Sequence, residues 1–173
     1  GYNHVLAIKS NGTLWAWGSN WYSNFGLGTS NDGSPIPVLI SSATDWKDIK
    51  GGYFNVIAQK NNNTLWGWGV NQYGEMGNGT NSHITTITQL SNAGDVKSIS
   101  AGYHFNVMIK NNGTLFGAGL NEDGQLGNGT TINTSIALGV VGITDVIAGT
   151  NISIDKTDPL NPVISSSSGG GGT

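Results

Sequence analysis

The chain has 173 residues, of which 28 are glycine and only 10% are charged, and its formal net charge is −3. It has no arginine or cysteine, and its seven lysines are scattered, which excludes a nucleic-acid surface of clustered basic residues, a disulfide framework and a thiolate metal site. No apolar run is long enough for a membrane-spanning helix. Abundant glycine together with six Trp, five Tyr and four Phe predicts a folded all-β protein with many tight turns.

One stretch of the chain occurs three times, starting at Gly1, Gly52 and Gly102. The copies read GYNHVLAIKSNGTLWAWGSNWYSNFGLGT, GYFNVIAQKNNNTLWGWGVNQYGEMGNGT and GYHFNVMIKNNGTLFGAGLNEDGQLGNGT, and they align without a gap. We therefore predict three repeats, 1–51, 52–101 and 102–149, followed by a Ser/Gly-rich tail or linker over 150–173.

Each copy has the pattern of a β-hairpin. An apolar run such as 5–8 leads to Asn11-Gly12, which predicts a two-residue turn, and Leu14 begins the return strand. A Gly-rich loop and two further short strands follow, giving about four strands per ~50 residues, as in a propeller blade. We therefore predict an all-β fold of propeller blades, completed by other copies or by further sequence. The aromatic and apolar positions that recur in register are predicted to form the core: Trp15, Trp66, Phe116, Phe25, Met76 and Leu126.

The segments GTLFGAGLNEDGQLGNGT and ISAGYHFNVMIK resemble repeats of the regulator of chromosome condensation family. The resemblance covers about residues 1–149 and implies a β-propeller, usually of seven blades. His4 matches the histidine of that family, whereas Asn55 and Phe105 replace it in the later copies. The resemblance implies architecture and does not carry over the exchange-factor activity of the founding member.

The sequence predicts no catalytic or metal site and no cofactor. His4, His83 and His104 have no partner at metal-ligand spacing, and the acidic residues Asp32, Glu75, Glu122 and Asp123 are expected in loops. His4 is expected to pack within its blade. The glycines are not followed by the Gly-Lys-Ser/Thr of a phosphate-binding loop. We therefore expect a protein that is not an enzyme.

Three aromatic residues, Trp21, Tyr22 and Tyr73, do not recur in all copies and lie in predicted loops, so they are candidate partner-binding residues, with partial burial as the alternative. Asn-x-Ser/Thr sequons offer possible glycosylation sites, although Asn-Gly-Thr also suits a tight turn. The sequons begin at Asn11, Asn62, Asn78, Asn112, Asn128, Asn133 and Asn151.

The ends of the repeat region suggest self-assembly. In the second and third copies, a short strand precedes the hairpin, whereas the sequence starts at the hairpin of the first copy. Residues 143–149 have the pattern of that preceding strand. Val5 and Leu6 of one copy could then pair with Ile143 and Val146 of another, giving a ring or a filament.

The tail resembles junctions between modules of bacterial surface proteins, and 165–172 has the composition of a flexible linker. The sequence therefore predicts an extracellular or cell-surface protein, bacterial in origin, with a structural or protein-binding role. Its expected partners are other copies of itself or another protein. The alternative is a recognition or inhibitor module that binds a protein or glycan through aromatic residues of the propeller face.

Overall fold

The computed structural model describes residues 1–90 and 95–140, together with the backbone of two short strands near the C-terminus. The described chain is built of β-strands joined by turns and loops, and no helix occurs in it. The strands in chain order are β1 (His4–Ile8), β2 (Leu14–Asn20), β3 (Asn31–Ser41), β4 (Trp46–Gly51), β5 (Asn55–Lys60), β6 (Leu65–Gly69), β7 (Ile84–Leu90), β8 (Val96–Ala101), β9 (Phe105–Lys110), β10 (Leu115–Gly119), β11 (Thr134–Gly139), β12 (Ile152–Asp155) and β13 (Val163–Ser166).

The strands of the repeat region form three antiparallel sheets, and the second and third sheets take their first strand from the end of the preceding predicted repeat. One sheet has the order β1-β2-β3, the next β4-β5-β6-β7 and the third β8-β9-β10-β11. Consecutive strands are neighbours in every sheet, as in the blade of a propeller. The prediction of an all-β fold of propeller blades is confirmed.

The hairpin turn differs from its prediction. Lys9 N donates to Thr13 O at 2.9 Å, and Gly12 N donates to Lys9 O at 2.8 Å. The loop therefore has three residues, a turn of type I geometry followed by Gly12 in the left-handed region at φ 82°. Asn63 takes the same place in the second blade at φ 63°, which asparagine tolerates better than most residues.

Apolar side chains between adjacent blades form two cores. The first joins blades one and two and includes Leu14, Phe25, Val56 and Trp68. The second joins blades two and three and includes residues such as Ile57, Met76, Ile99 and Met108. The packing of each sheet on its neighbour thus buries both faces of the middle blade.

The chain divides into two compact units, 1–140 and 141–173. In the second unit β12 pairs antiparallel with β13, and Ile152 lies opposite Ser166. Ser165 and Ser166, assigned by composition to a flexible linker, are therefore in a strand. The division into repeats ending at 51, 101 and 149 stays a prediction.

Candidate protein-binding face

Successive strands of each antiparallel sheet are connected alternately at opposite ends, so the blades have two ends with different connections. We call one end the loop face: it carries 1–3, 52–54 and 102–104, and the long loops 21–30, 70–83 and 120–133. The other end is the turn face, which carries the tight turns 9–13, 61–64 and 111–114 and the connection 42–45. Aromatic contacts between blades concentrate on the loop face.

Each long loop is organised by one buried asparagine at the end of a return strand. Asn71 Oδ1 accepts a hydrogen bond from Met76 N at 2.9 Å, and its Nδ2 donates to Thr80 O at 2.9 Å. Asn20 and Asn121 make the equivalent bonds in the other two blades. These bonds satisfy backbone groups that a buried loop would otherwise leave unpaired. The sequence showed this asparagine in all three copies without indicating its role.

Three tyrosines at equivalent repeat positions form a row on the loop face, which we call the tyrosine ladder: Tyr2, Tyr53 and Tyr103. The ring centroid of Tyr53 lies 4.4 Å from that of Tyr2 and 4.3 Å from that of Tyr103. Tyr2 is 64% exposed and Tyr103 is 56% exposed. Desolvation raises the pKa of Tyr53, and the neighbouring hydroxyls of Tyr103 and Tyr2 raise it further. The phenol of Tyr53 is therefore neutral at physiological pH.

The predicted partner-binding residues Tyr22 and Tyr73 take part in contacts between blades. The Tyr22 ring stacks on Phe54 of the second blade with centroids 4.2 Å apart. Tyr73 lies 5.1 Å from the His104 ring of the third blade. Tyr22 is nevertheless exposed, whereas Tyr73 is half-buried. Both residues thus extend the aromatic surface that begins at the ladder.

Trp21 is the most exposed of the predicted partner-binding residues, at 60%. Its Nε1 donates to Asp32 Oδ1 at 3.3 Å, which holds an exposed carboxylate beside the indole. Trp21 precedes Tyr22 in the chain, and aromatic contacts run from Tyr22 through Phe54 to Tyr53 of the ladder.

A buried polar network beneath the loop face joins blades two and three. His104 Nδ1 donates to Glu75 Oε1 at 3.0 Å, and Tyr73 N donates to Glu75 Oε2 at 3.0 Å. Asn106 Nδ2 donates to the Glu75 carbonyl at 2.8 Å. Glu75 was expected only as a loop residue, and His104 without a carboxylate beside it. Sequence reasoning missed the pair because its members come from different blades, although position 75 is polar in all three copies as Asn24, Glu75 and Gln125.

His4 is buried in the first blade, as expected of a packing residue. Its Nδ1 accepts a hydrogen bond from Asn24 Nδ2 at 3.2 Å, and its Nε2 has no hydrogen-bond partner. Desolvation, followed by the positive charge of the chain's amino group, lowers the pKa of His4 to about 4. The ring is therefore neutral at physiological pH. His83 is exposed. In the part of the chain that the structure describes, no three His, Asp or Glu side chains come together as a metal site would require.

The predicted core positions separate into two groups. Phe25, Met76 and Leu126 are buried, as predicted. Trp15, Trp66 and Phe116 are half-buried, and Trp66 and Phe116 pack against the margins of the first and second cores. A lysine ammonium lies over each of these three rings, 5.1 Å from Trp15, 4.8 Å from Trp66 and 4.4 Å from Phe116. A lysine side chain thus covers part of each of these rings.

The sequon asparagines within the described residues act in local turns. Asn11 Oδ1 accepts hydrogen bonds from Thr13 N at 3.2 Å and from Thr13 Oγ1 at 2.7 Å. Asn62, Asn78, Asn112 and Asn128 make the same backbone contact, and Asn133 Oδ1 accepts from Asn121 N. Asn151 lies outside the described residues. Turn hydrogen bonds account for five of these asparagines, and Asn133 bonds across its long loop. Glycosylation stays a prediction.

The predicted self-assembly edge is described at one end only. β1 is an edge strand of its sheet. It contains Val5, which is exposed, and Leu6, which is half-buried. Ile143 and Val146 lie outside the described residues. No helix long and apolar enough to cross a bilayer is found among the residues that the structure describes.

The blades and their loop face define a β-propeller repeat module. Two models of the regulator of chromosome condensation (RCC1) repeat match the chain, one over 1–33 and 96–125 and the other over 62–109. These segments make up more than half of the chain, which therefore belongs to the RCC1 repeat family.

Curated relatives share the repeats over part of the chain. Protein RCC2 homolog of Xenopus laevis is 34% identical over 79 residues, which are 44% of this chain and 15% of the relative. The human E3 ubiquitin-protein ligase HERC2 is 32% identical over 83 residues, 46% of this chain and 2% of the relative. The ultraviolet-B receptor UVR8 of Arabidopsis thaliana is 29% identical over 83 residues, 47% of this chain and 19% of the relative. The chain thus spans less than a fifth of the length of these relatives.

Solved structures support the fold. Prp20p of Saccharomyces cerevisiae matches with a TM-score of 0.72 and 21% identity, over 89% of this chain and 39% of that protein. Human WBSCR16 matches with a TM-score of 0.70 and 19% identity, over 84% and 39% of the two chains. Likeness at this identity shows the fold alone.

The relatives overturn the expected localisation. The matched proteins come from human, mouse, frog, nematode, plant and yeast, all of them eukaryotes. The prediction of a bacterial extracellular or cell-surface protein is therefore wrong. The low charge and Ser/Gly tail on which it rested are features of composition, and composition does not specify a compartment.

Proposed function

We propose that this chain is a non-enzymatic protein-binding module that contacts its partner with the loop face. The observation that carries the proposal is the continuous row of aromatic side chains running from Tyr22 through Phe54 to the tyrosine ladder, with the exposed Trp21 beside Tyr22 in the sequence. Exposed contiguous aromatic surface is uncommon on a protein without a partner, and Tyr and Trp dominate the energetic centres of interfaces.

The comparisons support this role at the level of the family. Structures of yeast Prp20p are described with its binding to Gsp1p and histones, and with Kap60 bound to it. The E3 ubiquitin ligase relatives share only a small part of their length with this chain, so the likeness gives no reason to propose ligase activity. The alternative is recognition of a glycan by the same aromatic residues.

A paired set of variants tests the proposal. In the loop-face variant Trp21→Ser/Tyr22→Ser, contact area is lost from an exposed surface. The control variant Lys47→Ser/Lys97→Ser changes exposed residues near the turn face. Each immobilised protein is incubated with an extract of the cells that produce it, and a retained protein is then purified and its affinity measured by calorimetry.

We expect the loop-face variant to weaken this binary affinity at least tenfold, while the control stays within about twofold of wild type. Circular dichroism of both variants controls for folding. A partner whose affinity falls only in the turn-face variant, or an interaction insensitive to both, contradicts the proposal.

A second candidate function is head-to-tail self-assembly, favoured by the position of β1 as an edge strand with Val5 exposed. A strand from another copy could pair with β1, although a strand from a longer form of the same chain would cover it equally well. Sedimentation of the full chain and of a variant lacking 143–149 tests this. Assemblies that depend on 143–149 support it, and a folded monomer in both cases contradicts it.

A further inference from the structure

We propose that the partner segment seated on the tyrosine ladder is a basic peptide, an extended stretch of protein with two or more Lys or Arg side chains. This proposal rests on the proposed function of the loop face and specifies the chemistry of its partner. It combines two independent features of that face, the open tyrosine rings and the distribution of charge.

The ladder lines a shallow depression of about 280 Å³ whose remaining walls are Gly1, Gly51, Gly52, Ala101 and Gly102. A Cβ at Gly52 would lie 2.2 Å from Asn55 Oδ1, and one at Gly102 would lie 2.3 Å from Phe105 Cζ. These glycines are thus required by packing within and between the blades, and they leave the wall of the depression without large side chains. A peptide backbone can approach such a surface closely, since no bulky side chain blocks it.

Charge is distributed unevenly between the two ends of the blades. Lys9, Lys47, Lys60, Lys97 and Lys110 lie at or near the turn face. The exposed carboxylates of Glu122 and Asp123 lie in the long loop 120–133, and that of Asp32 lies at the loop-face end of β3. Among residues 1–90 and 95–140, the lysine nearest the loop face in sequence is Lys50, which is paired with Asp48 at 2.6 Å. Among the described residues, the loop face thus combines neutral aromatic rings with exposed carboxylates on the first and third blades, which we call the rim.

The exposed rings of Tyr2 and Tyr103, together with the carboxylates of the rim, favour cations. A Lys or Arg over a tyrosine ring is attracted by the ring quadrupole, also at an exposed site. The carboxylates add attraction and speed the encounter. A phosphorylated peptide or a nucleic acid would be repelled by the same rim, and a neutral sugar would gain nothing from it.

The test uses two synthetic octapeptides and the full chain. One peptide alternates Arg with Gly, and its matched control carries citrulline, which keeps the shape but not the charge, in place of every Arg. Binding is measured by fluorescence anisotropy at 50 mM and 300 mM salt, and ring proton shifts of the tyrosines locate the site. We expect the Arg peptide to bind at least tenfold more tightly at low salt than the citrulline peptide, with ring shifts at Tyr2 and Tyr103.

Variants assign the binding to the rings. Tyr2→Ser/Tyr103→Ser should abolish binding, whereas Tyr2→Phe/Tyr103→Phe, which keeps the ring faces, should stay within about threefold of wild type. Asp32→Asn/Glu122→Gln/Asp123→Asn should weaken binding and flatten its salt dependence. These residues are exposed, and thermal unfolding of each variant verifies that the fold is intact.

Equal binding of the citrulline peptide, equal loss in the Phe and Ser variants, or ring shifts produced by chitohexaose instead of the Arg peptide would overturn the basic-peptide proposal. A loop-face variant that loses its natural partner while wild type ignores the Arg peptide would refute this inference alone. If the loop-face variants keep both the natural partner and the Arg peptide, the proposed function is refuted as well.

Discussion

At the scale of single residues, equivalent glycines in the repeat are held by different constraints. Gly12 and Gly113 both have positive φ, at 82° and 85°. A Cβ at Gly12 would lie 2.0 Å from Thr44 O, whereas nothing lies within 4 Å of a Cβ at Gly113. In the third blade, a side chain at this glycine would therefore cost only backbone strain. In the first blade it would also clash with the backbone of Thr44.

We expect Gly113→Ala to reduce the free energy of unfolding by about 1 kcal/mol, the cost of a left-handed alanine. Gly12→Ala should cost more, on the order of 2–3 kcal/mol, because the backbone of Thr44 must also move. Chemical denaturation measures both, with Gly113→Asn as the control that the left-handed region accepts. Equal costs at the two positions would contradict this account.

The buried imidazole of His4 makes stability depend on pH. Its pKa is about 4 in the fold, below the value near 6.5 of an unfolded histidine, so protonation favours the unfolded chain. The contribution of the neutral ring is fully present above pH 6.5 and is lost as the pH falls toward 4.

We expect wild type to lose about 2–3 kcal/mol more than His4→Asn between pH 7 and pH 4. Asparagine is the matched replacement because Asn55 occupies this position in the second blade. Denaturant unfolding of both proteins across the pH range gives the difference, in which other titrating groups cancel. Parallel stability curves would show that His4 does not titrate as proposed here.

At the scale of elements, the contact between neighbouring sheets determines stability. Trp68 on β6 is fully buried in the first core, and its Nε1 donates to the Asn24 carbonyl of the first blade at 2.7 Å. The equivalent third-blade residue, Ala118, is also buried, so the two blade interfaces are filled differently. Trp68 therefore joins blades one and two through both packing and a hydrogen bond.

We expect Trp68→Ala to cost about 3–5 kcal/mol, the range for removing a large buried aromatic side chain. The control is Trp21→Ala, on the exposed loop face, which should change stability by about 0.5 kcal/mol or less. Equilibrium denaturation distinguishes them. Similar losses in the two variants would contradict the assignment of Trp68 to the core and Trp21 to the surface.

At the scale of the whole molecule, the middle blade connects two cores that share no member among their buried residues. In repeat architectures stability is approximately a sum of terms from neighbouring units. A perturbation in one core should therefore be felt most by the two blades that form it.

Hydrogen exchange can test this coupling. Met108→Ala opens the second core, so we expect faster exchange in β8–β11 and β4–β7, with smaller changes in β1–β3. Trp68→Ala should instead affect β1–β3 more than β8–β11. Uniform acceleration across all blades in both variants would show that the three blades unfold only as one unit.

The sequence by itself determined the all-β blades, because turn glycines, alternating apolar residues and a period of about 50 residues are local signals repeated in register. It also predicted burial of Phe25, Met76 and Leu126, and it indicated Trp21 and Tyr22 as surface residues. The tertiary structure decided what lies between blades. The Tyr22–Phe54 stack and the Glu75–His104 pair join non-equivalent residues about 30 positions apart, and their proximity leaves no periodic signal in the chain. The ladder tyrosines recur in the repeat, but their contact depends on how one sheet packs on the next.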